Sequence, residues 1–192
     1  MAILMMMEGP GVTPEQYHGL NEAMGIRGDE DAPDGLVSHV AGHDGENLVV
    51  ADVWESQEQL DKFFHDRLGP ALQEVGVDAP QPRIHPVHDI TPGTGTEAGV
   101  IAIIDVPGFG VDTYDQMRST MPAHQPNGPG HPAVSHIAAT TDDGILVVDV
   151  WESPAAFGKF AEEQVGPAGA AAGIGPLEPR FVPVIGRLAP QG

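Results

Sequence analysis

The chain has 192 residues, with 28 acidic against 8 basic side chains, a formal net charge of −20 and no cysteine. The missing thiols exclude disulfides, cysteine nucleophiles and thiolate metal sites. The negative charge disfavours binding to phosphate backbones and to anionic membranes, so we expect no nucleic-acid partner and no membrane partner.

The first predicted strand covers about residues 2–8, an apolar run that ends at Gly9-Pro10-Gly11. It has no basic residues at its start, which is not typical of a signal peptide, and no apolar stretch reaches the length of a membrane span. We therefore expect a soluble, cytoplasmic protein. A helix is predicted next, because Thr13-Pro14-Glu15-Gln16 combines a capping threonine, a proline at the first helical position and a capping-box glutamine. A polar loop from Gly25 to Gly35 ends this helix.

A hairpin of two strands follows, at 36–41 and 47–54. The Asp44-Gly45 pair between them is a strong hairpin signal. Ser56 then predicts the start of a second helix, since serine is a favoured N-cap residue.

Two prolines near the end of the repeat limit the helix and the strand that contain them. We expect Gly69-Pro70 to interrupt the second helix, which resumes briefly through Val75. The last strand is predicted at 82–90. Its Pro86 cannot donate a hydrogen bond to a neighbouring strand and should lie at an edge or a strand end.

The whole pattern occurs twice at a constant spacing of 97 residues, without a gap. Identical pairs include Tyr17/Tyr114, His39/His136, Asp52/Asp149, Trp54/Trp151 and Arg83/Arg180. The period is too long for a solenoid repeat and indicates a duplicated domain. We predict a first unit at residues 1–90, a flexible linker at 91–98 and a second unit at 99–188.

Each repeat has the order βαββαβ, which is that of a ferredoxin-like unit. The strand that ends in Trp-Glu-Ser before an amphipathic helix, at 54–56 and again at 151–153, resembles the antibiotic-biosynthesis-monooxygenase-like domains of the dimeric α/β-barrel superfamily. The resemblance covers nearly the whole chain. It implies an α+β fold in which two ferredoxin-like units pack sheet to sheet as an intrachain dimeric α/β barrel. The chain would then be a monomeric pseudo-dimer or a homodimer.

The recurring polar and aromatic residues form the candidate site. Side chains alternate along a strand, so Asp52 and Trp54 share a face, and an even-length hairpin places His39 opposite Val50 or Asp52. A carboxylate beside the imidazole would orient it and raise its basicity. The predicted catalytic residues are His39, His136, Asp52 and Asp149, and the predicted substrate-binding residues are Tyr17, Trp54, Tyr114 and Trp151.

A purely structural role for the same residues is the alternative, because common ancestry alone preserves packing residues in both copies. Most other histidines occur in only one copy. His124, His131 and His136 match no standard metal spacing, and the first two lie in a Pro/Gly-rich loop. We therefore predict no metal ligand. The loops at 25–35 and 122–133 differ strongly, which is compatible either with one working and one inactive site or with ordinary drift.

The resemblance implies a monooxygenase that uses no cofactor and acts on an aromatic or polyketide-like small molecule. In this hypothesis a histidine deprotonates the substrate, and the carbanion reacts with oxygen. A haem-degrading branch of the superfamily is less well matched, since His65 is the sole histidine on the second helix and Glu162 takes its place in the second copy. Two alternatives remain open: a non-catalytic ligand-binding or structural protein, and an isomerase or cyclase of the same superfamily.

Overall fold

The computed structural model describes residues 1–78 and 81–190. Ala79 and Pro80, which fall inside the first predicted repeat, lie outside the described residues. The first repeat forms these elements in chain order: β1 (Ile3–Pro10), α1 (Pro14–Met24), a 3-10 turn (Asp29–Asp31), β2 (Leu36–His43), β3 (Asn47–Trp54), α2 (Gln57–Phe63), a π-helical turn (Phe64–Leu68), α3 (Gly69–Val75) and β4 (Arg83–Pro92).

The second repeat gives the same succession of elements. They are β5 (Val100–Pro107), α4 (Val111–Thr120), a 3-10 turn (Pro122–His124), β6 (Ser135–Thr140), β7 (Gly144–Trp151), α5 (Pro154–Phe160), a π-helical turn (Ala161–Val165), α6 (Gly166–Ala171) and β8 (Arg180–Leu188).

The predicted helix starts are present. The Thr13 N–H donates to the side-chain oxygen of Gln16 at 2.9 Å, and the Gln16 N–H donates back to the Thr13 hydroxyl at 3.3 Å. This is the complete capping box. Ser56 and Ser153 cap α2 and α5 in the same way, through the backbone N–H three residues on. Helix α1 ends at Gly25, whose φ of 69° lies in the left-handed region that glycine adopts at low cost.

The predicted interruption at Gly69-Pro70 is wrong, because the chain stays helical through both residues. A π-helical turn takes up the proline: the Gly69 N–H donates to the carbonyl of Phe64, five residues earlier. The wider turn removes the clash that a proline ring has with the carbonyl four residues back in an α-helix. Glycine fits this turn, since a Cβ at residue 69 would lie 2.9 Å from the Phe64 carbonyl oxygen.

The chain folds into two compact units. The first unit is Met1–Pro86 with Val182–Gly192, and the second unit is Val87–Phe181. Within the first unit the strand order is β4-β1-β3-β2-β8, and within the second it is β4-β6-β7-β5. The compact units divide inside β4 and β8 and not at the ends of the sequence repeats. The repeat boundaries at 90 and 98 therefore stay a prediction.

Strand β4 contributes to both units in succession. Residues 83–86 pair with β1, whereas residues 87–92 pair with β6. The change of partner falls at Pro86, where the missing N–H interrupts a ladder. A register shift between Val87 and Asp89 marks a bulge immediately after it.

The pairings within each unit are antiparallel, and the order of neighbouring strands closes as an eight-stranded barrel. The predicted α+β fold class, a dimeric α/β barrel within one chain, is confirmed. In each unit the helices cover an apolar cluster on one face of the sheet, centred on Trp54 in the first unit and on Trp151 in the second. Among residues 1–78 and 81–190, none of the helices combines the length and the apolar character needed to cross a bilayer.

Candidate active site

In the first unit, the register of the hairpin places His39 directly opposite Asp52. The His39 Nδ1 lies 2.7 Å from the Asp52 Oδ1, and its Nε2 lies 2.9 Å from the hydroxyl of Tyr17 on α1. Because the carboxylate accepts the proton of Nδ1, the lone pair of Nε2 is left to accept the tyrosine O–H. The three predicted residues therefore form one hydrogen-bonded chain.

The second unit repeats this chain with tighter burial. His136 Nδ1 lies 2.7 Å from the Asp149 Oδ1, and its Nε2 lies 2.7 Å from the Tyr114 hydroxyl. His136 is 6% exposed and Asp149 is 3% exposed. Burial, together with the nearby Asp89 carboxylate, raises the pKa of Tyr114, so its hydroxyl stays protonated at neutral pH.

The two tryptophans differ in their polar contacts. The Trp151 indole N–H donates to the Asp149 Oδ2 at 3.2 Å and so helps to hold the carboxylate that orients His136. Among the described residues, the buried indole N–H of Trp54 has no hydrogen-bond acceptor. Trp151 does not belong to the wall of the second unit's cavity but packs behind it, against Phe157 and Phe160.

The histidine of each unit lies at a cavity between sheet and helices, but the two cavities differ greatly in size. The cavity beside His136 has a volume of about 370 Å³, and the one beside His39 has about 60 Å³. The larger volume is in the range of sites for small organic molecules. Met5 and Leu36 line the smaller cavity, and the equivalent residues of the second unit are the shorter Ala102 and Ala133. Gly169 lines the larger cavity, and its equivalent in the first unit is Leu72.

Two histidines that the sequence interpretation set aside lie in the wall of the larger cavity. The His131 ring is 4.8 Å from that of His136 and 5.1 Å from that of His124, measured between centroids. Burial lowers the pKa of His131 to about 3 and the pKa of His124 to about 4. Both rings are therefore neutral at physiological pH.

The segment that follows β4 fixes the loop that carries His131. The Thr94 N–H donates to the His131 carbonyl at 2.8 Å, and the Gly93 N–H donates to the Val134 carbonyl at 3.3 Å. The Ala133 N–H in turn donates to the His131 Nδ1 at 3.2 Å. Residues predicted to act only as a linker thus position a cavity residue.

Asp89 is a further residue that sequence reasoning missed. Its Oδ2 lies 3.4 Å from the Tyr114 hydroxyl oxygen, accepts from the Thr91 hydroxyl at 2.8 Å and pairs with the Arg118 guanidinium at 3.2 Å. The bulge in β4 re-aims this residue, as bulges beside functional sites often do. No signal from the repeat could find it, because the equivalent residue is Gly186.

The donor atoms of His131, His136 and Asp149 all lie within 4.8 Å of one another, close enough in principle to bind a metal ion. Both nitrogens of His136 are already hydrogen bonded, however, and an ion would have to displace either Asp149 or Tyr114. We assign no metal centre to this cluster. His65, considered for haem, has an 89% exposed side chain and does not face a cavity.

Neither family models nor curated proteins match the chain. Solved structures do. A candidate monooxygenase from Lactobacillus acidophilus aligns over 98% of this chain and 96% of that chain, with a TM-score of 0.66 and 12% identity. A candidate monooxygenase from Fusobacterium nucleatum aligns over 98% of this chain and 94% of that chain, with a TM-score of 0.68 and 8% identity. An anthrone oxidase-like protein aligns over 97% of this chain and 92% of that chain, with a TM-score of 0.50 and 15% identity.

At these identities the similarity shows the fold alone. The predicted dimeric α/β-barrel fold is confirmed at that level, and two of these three neighbours are candidate monooxygenases. The site itself combines a buried imidazole, oriented by a carboxylate and capped by a tyrosine hydroxyl, with an apolar cavity. Such an arrangement can remove a proton from a small apolar ligand.

Proposed function

We propose that the second unit carries the active site of a monooxygenase, which oxidises a small aromatic compound without metal or organic cofactor. The observation that supports this most directly is the Asp149–His136–Tyr114 chain at the wall of a largely apolar cavity of about 370 Å³. The equivalent residues of the first unit, Asp52, His39 and Tyr17, are proposed to have a mainly structural role, because little space adjoins them.

The base acts through Tyr114. Since the Tyr114 hydroxyl occupies the Nε2 of His136, the hydroxyl oxygen receives the substrate proton while its own proton moves to His136. Asp149 stabilises the imidazolium that forms. The neutral rings of His124 and His131 leave the wall without a competing positive charge.

The oxidation then balances without an external reductant. The carbanion transfers electrons to oxygen and forms a C–O bond. The Tyr114 hydroxyl gives its proton to the peroxide and regains one from the imidazolium. Loss of water, with removal of the second C–H proton, leaves a carbonyl. A methylene group and one molecule of oxygen thus give a ketone and one molecule of water.

Anthrone is the first substrate to test, since it has an acidic methylene flanked by aromatic rings and an anthrone oxidase-like protein shares the fold. We expect oxygen uptake with formation of the quinone. His136→Asn should lower kcat by about 100-fold or more, in line with the contribution of a positioned base. The matched variant His39→Asn should keep kcat within about twofold, because the smaller cavity does not hold the substrate.

A second candidate is a ligand-binding protein without turnover. It is favoured by the recurrence of the same His–Asp–Tyr chain beside a cavity of about 60 Å³, where it serves packing. Binding of aromatic ligands with no product would support this candidate. Product without oxygen uptake would indicate an isomerase or cyclase, and unchanged turnover in His136→Asn would contradict the proposed base.

A further inference from the structure

We propose that Asp89 is a positioning residue of the second unit's site, which accepts the Tyr114 hydroxyl once His136 is protonated and so stabilises the imidazolium. The inference rests on the proposed function, because it concerns the proton that the substrate gives up. It extends the three-residue chain by a fourth member that the first unit lacks.

The geometry places Tyr114 between two acceptors. Its hydroxyl oxygen lies 2.7 Å from the His136 Nε2 and 3.4 Å from the Asp89 Oδ2. The same Asp89 oxygen is 3.9 Å from the His136 Nε2, too far for a direct hydrogen bond. Asp89 therefore reaches the imidazolium by hydrogen bonds only through the tyrosine, in addition to the direct electrostatic attraction over 3.9 Å.

The hydroxyl has one proton and can donate to one acceptor at a time. While His136 is neutral, its Nε2 accepts the Tyr114 proton over the shorter distance. After proton transfer, Nε2 carries hydrogen and becomes a donor to the tyrosine oxygen. The proton that the substrate delivered to Tyr114 then has Asp89 as its acceptor. Each proton is accounted for, and the tyrosine is neutral before and after the step.

Asp89 is held in place for this role. Thr91 donates to its Oδ2 at 2.8 Å, and Arg118 contacts the same oxygen at 3.2 Å while donating to the Thr91 hydroxyl at 2.7 Å. The guanidinium contact helps to fix the orientation of the carboxylate. The charged or titratable groups around His136 are thus Asp149, Tyr114, Asp89, Arg118 and the neutral rings of His124 and His131.

The first unit offers no equivalent. Gly186 occupies the position of Asp89, and Asn21 that of Arg118. The backbone of Gly186 lies so close to Tyr17 that a Cβ there would meet the tyrosine hydroxyl. The carboxylate is therefore absent where the cavity is small and present where it is large.

The test uses 4-nitrophenol, whose phenolate has a visible absorption band, at a pH below the pKa of the free phenol. A phenol bound in the second unit's cavity should lose its proton to the Tyr114–His136 pair and show the band. In Asp89→Asn we expect the bound phenolate fraction to fall by about fivefold or more with the affinity nearly unchanged. Asp89→Glu, which keeps the carboxylate, should restore most of the band.

Asp115→Asn is the matched control. Asp115 is an exposed carboxylate on the same helix as Tyr114 and pairs with His88 at 2.8 Å, so the variant removes a nearby charge without touching the hydroxyl. It should leave the band as in the wild type. Anthrone kinetics give a second readout: Asp89→Asn should lower kcat by about tenfold with KM within about twofold.

An equal band in Asp89→Asn and the wild type would overturn the inference. So would an equal loss in Asp89→Glu and Asp89→Asn, which would point to shape instead of charge. If the wild type consumes oxygen with anthrone but binds 4-nitrophenol without ionising it, the role of Asp89 is overturned and the proposed function is not. A wild type that neither binds the phenol nor consumes oxygen overturns the proposed function itself.

Discussion

The two units carry the same Tyr–His–Asp chain at nearly the same distances, and yet one adjoins a cavity of about 370 Å³ and the other a cavity of about 60 Å³. The hydrogen-bonded chain is what duplication has kept in both. The two units differ in the volume of the cavity beside the chain and in the polar side chains that surround it. A conserved-looking set of polar residues is therefore poor evidence for a working site unless a ligand can reach it.

The polar surroundings differ as sharply as the volume. The imidazole of the second unit is flanked by two neutral histidine rings and, through Tyr114, by the Asp89–Arg118 pair. The equivalent positions of the first unit are Arg27, Asp34, Gly186 and Asn21. Loss of function in one copy would remove the need for such a layer, whereas the buried His–Asp pair would remain as a packing element.

The largest expected effect comes from exchanging the cavity-forming residues. Gly169 lines the second cavity, and Gly169→Leu introduces there the residue that the first unit has at the equivalent position, Leu72. We expect it to weaken binding of anthrone or 4-nitrophenol by more than tenfold, because the new side chain takes the ligand's space. The measurement is a binding titration together with thermal unfolding, which should show a folded protein.

The corresponding change in the first unit is Leu72→Ala, at the position equivalent to Gly169. Leu72 is 5% exposed and packs with Leu20 and Leu68. Its truncation should reduce the free energy of unfolding by about 2–5 kcal/mol without affecting turnover. Unchanged ligand affinity in Gly169→Leu would show that the second cavity is not the binding site.

Acid should destabilise the second unit's site through its two extra histidines. The pKa values of His131 and His124 are lowered to about 3 and about 4 from 6.5. Between those values and 6.5 the unfolded chain binds more protons, so this contribution to stability is complete above pH 6.5 and is lost as the pH falls. The more deeply buried His131 accounts for up to about 1.4 kcal/mol per pH unit in its window, and the half-buried His124 contributes less.

Denaturant unfolding between pH 7 and pH 4 measures this slope, with His131→Asn as the informative variant. We expect a shallower fall of the free energy of unfolding than in the wild type. His18→Asn, which changes a histidine of the first unit, is the control. A wild-type slope in His131→Asn would contradict the assignment of a buried neutral ring.

The smallest effect separates the two tryptophans. Trp151→Phe removes the N–H that donates to the Asp149 carboxylate, while Trp54→Phe removes an N–H with no acceptor among the described residues. The first variant should lose about 1–2 kcal/mol more in the free energy of unfolding than the second. Urea unfolding of both proteins provides the comparison, and equal losses would mean that the indole hydrogen bond contributes little.

Much of the fold could be predicted because the local signals are strong and occur twice. The capping box at Thr13, the Asp44-Gly45 hairpin and the Ser56 cap each depend on neighbouring residues. Hairpin geometry also limited the partner of His39 to Val50 or Asp52, and the register selects Asp52. The π-helical turn was missed, since helix-breaking residues are normally accommodated by ending the helix.

The rest of the site could not be predicted from the sequence, because it depends on packing and irregular backbone. Comparing the repeats selects residues that recur and discards those that do not, which removed His124, His131 and Asp89 together. His124 ends a short 3-10 turn, His131 lies on the irregular loop that follows it, and Asp89 follows a bulge in β4. Cavity volume is set by many small side-chain differences, and no single motif encodes it.

Strands β4 and β8 each serve the compact unit of the other repeat, and this limits where the gene can be divided. Because β8, from Val182 onward, belongs to the first compact unit, no single continuous segment of the gene encodes that unit. A fragment cut in the predicted linker would lack β8, which pairs with β2, and would end in residues whose partner strand β6 is missing. Truncation at the repeat boundary would thus expose unpaired edges on both fragments, with aggregation as the expected result. Coexpressed fragments, by contrast, would each supply the strand that the other one lacks.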